Sequence, residues 1–521
     1  MNKKRIIDVL PFVLIILIVI IGTSFTFLRN FHTDESWYFS QAWAIVNGEK
    51  LYTDFFAHHN PLVYYIYSLP QYFFGPSLLI GRFQSFIFLL ISVLTLYSIA
   101  TNLGNKWSGI IFLTLIITNI FFFDVLTTFT WRPLETIIIS IILLAFIKCK
   151  NKIIRYSIVS FLLSLEVSLR FPIDFTSVLL IGYLIYLLIR YYNEKKIFFI
   201  STIISVITIG FLLGPFLVND FDNYIFNTAY YNIMLGRYLS NEMNIFGEIS
   251  INIYYLNENI RIFFQIIFFF CLIIIYRFYF IVINKNQLIN KDNYFGEWWY
   301  FTIIYIIGDE ALVFVSQNGW PITHVVHWFV GAMFVSIEIV RIINNLTNKE
   351  SRHISIAIVL MVVTLYPLSQ NIRDLQIRRK WFDSDMYQLI NISKEIKSLT
   401  NKDDPIFTFN PALITLAERN VAFNNYEECV ELVPSAYIDN DLIKNYSLTK
   451  INDIVEGLNN QSINSLLLEY PGRLDDNTGL GRILIPFRNQ IRDAISENYY
   501  LIKSWEYGRG NFLLYFHNPI K

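Results

Sequence analysis

Five side chains that could transfer a proton or bind a charged group lie close together near the start of the chain. They are Asp34, Glu35, Asp54, His58 and His59, all within residues 33–61. Carboxylates and imidazoles act as general bases, and at a membrane surface they also suit polar-headgroup chemistry. The stretch is therefore the candidate site of the chain.

The sequence around this stretch is apolar enough to hold it at a membrane. The chain has 521 residues, of which 54% are hydrophobic and 16% are charged, so an integral membrane domain is expected. The first apolar run, 6–28, follows Lys3, Lys4 and Arg5 and is too long for a signal-peptide core. This run predicts an uncleaved span with a cytoplasmic N-terminus, which places residues 29–78 in an external loop.

Further apolar runs predict more spans, each near the ~20 residues that a bilayer requires. They cover about 79–102, 107–124, 132–149, 153–171, 173–191, 197–217, 261–283, 298–316, 325–344 and 353–371. Lysine and arginine concentrate in the loops that this order places inside, which agrees with the positive-inside rule. We therefore expect about eleven spans within residues 1–371, with a second large external loop at about 218–260.

The composition changes after residue 371, where charge rises and the apolar runs stop. The patterns in 372–521 predict helices at 383–400, 448–460 and 486–498, strands at 405–409 and 465–468, and a hairpin of 499–505 with 511–517. An odd number of spans places this domain outside. The predicted fold is a mainly α membrane protein with a small extracytoplasmic α/β domain at its C-terminus.

The acidic pair has two interpretations from the residues alone. Asp34 is suited to cap a helix that starts near Ser36, with Glu35 adding charge to the first turn. Alternatively, one of the two carboxylates accepts a proton from a reacting hydroxyl. The two interpretations are compatible, because a cap would fix the position of the carboxylate.

The stretch also resembles the first external loop of membrane glycosyltransferases of the GT-C superfamily, which includes protein O-mannosyltransferases and the aminoarabinose transferase of lipid A. The resemblance rests on the acidic pair, a short aromatic helix, and the residues Gly48, Tyr52, Asp54, Phe55, His59, Pro61 and Leu62, and it extends through Gly75 and Arg82 to Leu103-Gly104. It implies that Asp34 is the base and that Glu35 and Asp54 belong to the catalytic set. The implied reaction moves a sugar, with inversion, from a dolichyl or undecaprenyl phosphate to a glycan, lipid or protein hydroxyl.

The cation that would hold the donor phosphate is the main departure from this family. In several relatives a lysine precedes the loop proline and is thought to bind the phosphate, whereas this chain has Asn60 there. The candidates for this role are His58, His59, Arg132, Arg170, His324 and His327.

Each of these candidates also has a structural interpretation. Ionisable side chains in spans often pair with a neighbour, as Arg170 would with Glu166, four residues before it, or Arg132 with Glu135. Histidines are common at membrane interfaces as neutral residues. The location of the whole set at the outer ends of spans favours a site more than any single member does.

Other function classes fit the composition less well. A transporter or lipid flippase would carry polar residues near the middle of the bilayer, often in repeated halves, whereas the acids here lie at outer span ends. A membrane-anchored binding protein would leave the many spans unexplained. The sequence contains no metal-binding or nucleotide-binding motif, so it requires neither a metal nor a cofactor, although a divalent metal stays compatible with it. Its zero net charge gives no indication of a nucleic-acid partner.

Overall fold

The protein is described from a computed structural model. The described residues are 3–29, 33–170, 175–231, 261–278, 296–315, 325–346, 351–352, 354–364, 386–426, 450–460, 462–470, 484–507 and 510–518.

Helices, most of them apolar, make up the first part of the chain. They are α1 Lys3–Leu28, α2 Thr33–Val46, α3 Leu62–Phe74, α4 Leu78–Leu103, α5 Lys106–Thr118, α6 Ile120–Leu126, α7 Arg132–Lys148, α8 Lys152–Val167, α9 Phe175–Arg190, α10 Lys195–Asn219, α11 Phe221–Ile225, α12 Arg261–Phe278, α13 Glu297–Val315, α14 Val325–Leu346 and α15 Ile354–Thr364. Within the described residues, five helices are long and apolar enough to cross a membrane, and the bent pair α5–α6 makes a possible sixth. The prediction of an integral membrane protein is confirmed, and the count of about eleven spans stays a prediction.

Short polar side chains fix where several of these helices begin. The side chains of Asn105 and Asn151 accept hydrogen bonds from the first backbone N–H groups of α5 and α8, and Ser77 does the same for α4. These groups would otherwise be unsatisfied in an apolar environment, which is why asparagine and serine are favoured there.

A break at Asn119 bends the chain by 73° between α5 and α6. Asn119 leaves the helical conformation, its side chain accepts from the N–H of Phe121, and its amide donates to the carbonyl of Ile262 in α12. The break directs α6 and the residues after it, up to Thr130, toward the candidate site.

The C-terminal part of the chain is a small α/β unit. Its helices are α16 Met386–Leu399, α17 Pro411–Leu416, α18 Ile451–Asn459 and α19 Arg488–Asn498, and its strands are β1 Ile406–Thr408, β2 Ser465–Tyr470, β3 Tyr499–Tyr507 and β4 Gly510–His517. The strands form one sheet in the order β1-β2-β4-β3, in which only the β1–β2 pair is parallel. The helices and strands predicted for the tail are confirmed to within three residues at either end, and α17 is an additional helix. The predicted boundary at 371/372 and the second external loop from residue 232 onward lie outside the described residues.

Side chains alternate between the two faces of this sheet, as the period of a strand requires. Leu466 and Leu468 of β2 pack with α18 and α19 in a separate core. Leu467, between them, joins Phe512 and Leu514 in the same apolar core as the membrane helices. The α/β unit therefore shares its inner core with the bundle.

Helix α17 packs against α2 of the first loop through two polar contacts. The backbone N–H of Ala412 donates to the hydroxyl of Ser36, and the hydroxyls of Thr415 and Ser40 are 2.8 Å apart. All of these groups are buried, so the contact belongs to the folded core. The α/β unit and the first loop consequently lie on the same side of the bundle.

We expect that cysteines replacing Ser40 and Thr415 will form a disulfide when the purified protein is oxidised in mild detergent. Their hydroxyls lie 2.8 Å apart, which places the two Cβ atoms near the separation that a disulfide needs. The experiment uses a background in which Cys149, Cys271 and Cys429 are serine, and it is read as a mobility shift after protease nicking between the two positions. Each single-cysteine variant is the control, and a double variant that stays reduced would contradict the docking of α17 on α2.

Candidate active site

Glu35 lies at the centre of a buried ionic cluster that joins α2 to three other helices. Its carboxylate accepts two hydrogen bonds from Arg82 of α4, at 3.0 and 2.6 Å, and one from the backbone N–H of Phe129, at 3.0 Å. Arg29, just after α1, makes an ion pair with the same carboxylate at 3.1 Å and with Asp124 of α6. The cluster fixes the first turn of α2 against α1, α4 and α6.

The two guanidinium groups keep Glu35 ionised. Burial alone would raise the pKa of its carboxyl, but the charges of Arg82 and then Arg29 outweigh burial and lower that pKa to about 2. A carboxylate so strongly stabilised as an anion is a weak proton acceptor. The geometry therefore favours an anchoring role for Glu35 over a proton-accepting one.

Asp34, the neighbour of Glu35, is partly exposed. The structure describes α2 from Thr33, which confirms the predicted helix to within three residues, and Asp34 lies within its first turn instead of capping it. Asp34 Oδ2 is 3.5 Å from Nη1 of Arg132, and 27% of the Asp34 side chain is exposed. This carboxylate is thus held next to a cation while it remains accessible.

Arg132 and Arg170 both pack against the indole ring of Trp131. The guanidinium carbons lie 4.9 and 4.6 Å from the ring centroid, distances typical of cation–π contacts. Both arginines are buried, at 6% and 8% exposed. Trp131 therefore packs against two fixed cations, and one of them, Arg132, lies next to Asp34.

The ion pairs of these arginines differ from those expected from sequence neighbours. Helix α8 ends at Val167, so Arg170 lies beyond it, and Nη1 of Arg170 pairs with Glu135 of α7 at 3.3 Å. The hydroxyl of Tyr305 in α13 donates to the same Glu135 oxygen at 2.7 Å. The contacts connect α7, α13 and the loop after α8, a convergence that spacing along one helix does not reveal.

His59 is buried, and its ring lies near that of Trp131, against which the two arginines pack. Its ring nitrogens are 3.0 and 3.3 Å from the hydroxyl of Tyr38, which lies one turn after Asp34 on α2. Burial, the neighbouring His58 ring and the charges of Arg132 and Arg170 hold the pKa of His59 well below its usual range. His59 is therefore neutral at physiological pH and offers a hydrogen bond rather than a charge.

His58 packs among aromatic rings. Its ring centroid lies 4.1 Å from that of His59, 5.8 Å from that of Trp37 and 5.8 Å from that of Tyr231, which follows the π-helical turn Phe226–Tyr230. The side chain is 8% exposed. His58 thus braces Trp37 against the beginning of the second loop.

Asn60, at the position of the family's lysine, is a structural residue. Its side-chain amide donates to the carbonyl of Val167 at 2.6 Å and accepts from the hydroxyl of Tyr224 at 2.9 Å. Its backbone N–H donates to the carbonyl of Arg170 at 3.2 Å. These bonds tie the loop to the end of α8, so Asn60 places Arg170 instead of contributing a cation.

Asp54 is exposed and lies in a turn on the other side of the loop. Its carboxylate accepts from the backbone N–H of Lys50 at 2.7 Å, and its carbonyl accepts from Asn424 of the α/β unit at 3.0 Å. The turn is further fixed by the hydroxyl of Tyr426, which donates to Glu49 at 2.8 Å. The described contacts connect Asp54 with the α/β unit and not with Asp34.

His327, one of the two remaining candidates, lies further away. Nε2 of His327 in α14 pairs with Glu310 of α13 at 3.0 Å, and its ring lies 6.2 Å from that of Tyr305. The contacts among the described residues connect His327 to the Arg170 cluster through Tyr305 and Glu135. His324 lies outside the described residues.

Several residues of this site were not singled out from the sequence. No sequence pattern assigns a function to Trp131, and Trp37 and Tyr38 lie in the short aromatic helix of the loop without a predicted function of their own. The spacing of Asp34, Tyr38 and Gln41 was an available signal, because these residues share one helix face, and Gln41 indeed donates to the carbonyl of Phe56. Among the described residues, no group of three or more His, Cys, Asp or Glu side chains is arranged to hold a metal ion.

Solved structures show which known fold this arrangement belongs to. ArnT from Cupriavidus metallidurans, bound to undecaprenyl phosphate, superposes with a TM-score of 0.60 over 96% of this chain and 97% of its own, at 9% sequence identity. The apo oligosaccharyltransferase of Archaeoglobus fulgidus superposes with a TM-score of 0.55 over 98% of this chain and 75% of its own, at 12% identity. No family model matches the sequence, and no curated protein matches it.

The chain has the GT-C fold. The predicted fold class is therefore confirmed over nearly the whole length, including the α/β unit after the bundle. At these identities the similarity applies to the fold alone.

We expect Glu35→Gln to lower the free energy of unfolding of the purified protein by about 3–5 kcal/mol, because it leaves the charges of Arg29 and Arg82 buried with less compensation. The folded-state pKa of Glu35 lies below its ordinary value of 4.5. Its contribution should therefore be complete above pH 4.5 and should decrease as the pH falls toward 2. The measurement is the unfolding midpoint in detergent at pH 7, 4.5 and 3.

The matched control is Asp8→Asn, which breaks the exposed pair of Asp8 with Lys106 on the same bundle. Exposed pairs contribute little, so this variant should keep the wild-type midpoint. If the two variants unfold at the same temperature at pH 7, the ionic cluster does not stabilise the fold as described.

Proposed function

We propose that this protein is a glycosyltransferase that moves a sugar from a polyprenyl phosphate to an acceptor hydroxyl. The observation that carries the proposal is the convergence of one accessible carboxylate, Asp34, with two buried guanidinium groups, Arg132 and Arg170, beside membrane helices. A lipid-linked sugar phosphate needs an apolar surface for its chain, cations for its phosphate and a base for the acceptor. The undecaprenyl phosphate in the ArnT structure supports a polyprenyl phosphate as the donor.

The reaction is a single displacement at the anomeric carbon of the sugar. The acceptor oxygen attacks this carbon while its proton passes to Asp34, and the bond between the carbon and the phosphate oxygen breaks. The bonding electrons leave with the phosphate, which becomes the free polyprenyl phosphate. Attack from the opposite side of the leaving group inverts the configuration of the carbon.

Arg132 and Arg170 stabilise the charge that develops on the leaving phosphate. A planar guanidinium group matches phosphate oxygens with two parallel donors, and cations fixed in a site with little water are effective because they need no reorganisation. Nε of Arg132 is buried and has no acceptor among the described residues, so a donor group is available for a ligand. His59, neutral and bound to Tyr38, would add at most a hydrogen bond.

Asp34 is the base in this proposal in preference to Glu35 and Asp54. Glu35 is occupied by Arg29 and Arg82 and fixes the turn that carries Asp34, whereas Asp54 is exposed in a turn beside the α/β unit. Glu35 is thus a positioning residue.

The acceptor approaches from the side of the α/β unit in this proposal, because α17 packs on α2 directly after the acidic pair. With the N-terminus in the cytoplasm, this side is the outer face of the membrane. The acceptor is a hydroxyl on a glycan, lipid or protein. The alternative function, a transporter or lipid flippase, has no support from the folds of the similar structures.

Replacing Asp34 with Asn should reduce sugar transfer from an undecaprenyl- or dolichyl-phosphate sugar by about 10²–10⁴-fold, because the variant lacks a proton acceptor. The unfolding midpoint and the affinity for the bare lipid phosphate should stay close to wild type. The assay follows radiolabelled sugar from the lipid to a membrane extract that supplies acceptors.

Asp222→Asn is the control for this variant, since Asp222 is an exposed carboxylate of α11 that has no place in the proposed site. Transfer by Asp34→Asn at the wild-type rate would show that another group is the base.

Replacing Arg170 with Lys should weaken the binding of undecaprenyl phosphate by about tenfold, because lysine keeps the charge but loses the planar pair of donors and the stacking on Trp131. The same change at Arg132 should have a similar effect. Binding is measured with the purified protein in nanodiscs. The control is Arg190→Lys, at the C-terminal end of α9. Unchanged affinity in both site variants would exclude this pair as the phosphate site.

A further inference from the structure

The surface of α2 near Asp34 presents one other side chain to the site. From Asp34 to Ala42, only Asp34 and Trp37 are partly exposed, and the other residues are buried. Residues three apart on a helix lie on the same face, so Trp37 is directly next to the proposed base. The exposed part of Asp34 is therefore bordered by an indole ring.

The Trp37 ring is held in place on one side. His58 packs edge-on against it, with the ring centroids 5.8 Å apart and an interplanar angle of 72°. His58 in turn packs against His59 and Tyr231. A ring that is braced in this way and still partly exposed offers a rigid flat surface at low entropic cost.

The indole nitrogen of Trp37 is also unusual. Nε1 is a donor that is buried, yet no acceptor for it occurs among the described residues. A buried donor without a partner is destabilising, so such groups are rare in folded proteins and call for a specific explanation. A hydroxyl of a bound molecule would supply the acceptor.

We infer that Trp37 binds the sugar that is being transferred. A sugar ring has an apolar C–H face, which suits an aromatic surface, and a rim of hydroxyls, which suits the indole N–H. Ring contacts run from Trp37 through His58 and His59 to Trp131. The two arginines pack against the Trp131 ring. The sugar of a donor whose phosphate contacts these arginines would then lie between them and Trp37, with its anomeric carbon near Asp34.

This inference rests on the proposed function, and two ligands separate the two. Undecaprenyl phosphate carries only the phosphate, whereas undecaprenyl phosphates with one mannose, glucose or 4-amino-4-deoxyarabinose also carry a sugar. The wild-type protein should bind at least one of the sugar-loaded lipids more tightly than the bare lipid. Trp37→Ala should weaken the binding of that loaded lipid by about tenfold and leave the binding of bare undecaprenyl phosphate unchanged.

Two further variants make the experiment specific. Trp37→Phe keeps an aromatic surface and removes the N–H, so it should lose part of the affinity for the loaded lipid and should fold even if the alanine variant does not. Trp43→Ala removes a second partly exposed tryptophan of α2, six residues away on a different face, and should bind both lipids as the wild type does. The unfolding midpoint of each variant is measured alongside.

Three results would overturn the inference. They are equal binding of the loaded and bare lipids by the wild type, equal weakening of both lipids by Trp37→Ala, and a change in the KM for the acceptor with no change in donor binding. If the protein binds no polyprenyl phosphate at all, the proposed function itself fails. If the arginine and aspartate variants behave as proposed while Trp37→Ala binds both lipids normally, only the sugar contact fails.

Discussion

The candidate site depends on the neutralisation of one fully buried carboxylate by two arginines. Glu35 brings together α2, α4 and the end of α1 through Arg82 and Arg29, and it accepts a backbone N–H from Phe129. Charges are so unfavourable in a low-dielectric interior that each must meet its partners, and this requirement leaves α2 little freedom. Gly81 allows the close approach, since a side chain there would collide with the ring of Phe129. This cluster also fixes the position of Asp34, because Asp34 directly precedes Glu35 in the same helical turn.

A second set of contacts places the cations, and it is largely independent of the first. Asn60 bonds to the backbone at the end of α8 and so fixes Arg170, while the start of α7 provides Trp131 and Arg132. The two sets meet where Arg132 approaches Asp34. The proposed base and the proposed phosphate ligands are thus carried by different elements.

The sequence was sufficient for the class of fold, since hydropathy and the loop motif are local signals, and the location of the site in the first loop stays a prediction. It was also sufficient for the helices and strands of the tail, whose periodicity is clear. It was not sufficient for the pairing of charges: Arg170 meets Glu135 and Arg132 meets Asp34, although closer neighbours were available along the chain. Such pairs depend on how helices pack, which no spacing within one helix encodes. The contacts of Trp131 with the two arginines were hidden for a similar reason, because tryptophan at a membrane boundary has an ordinary explanation as an anchor.

The sheet of the α/β unit buries one face in the same apolar core as the membrane helices. The tail is consequently not a module that folds by itself and is tethered to a bundle. Expressed without the preceding residues, it would present Leu467, Phe512 and Leu514 to water and aggregate. Both parts contribute to one interior, so a tail exchanged from another protein would meet a mismatched surface.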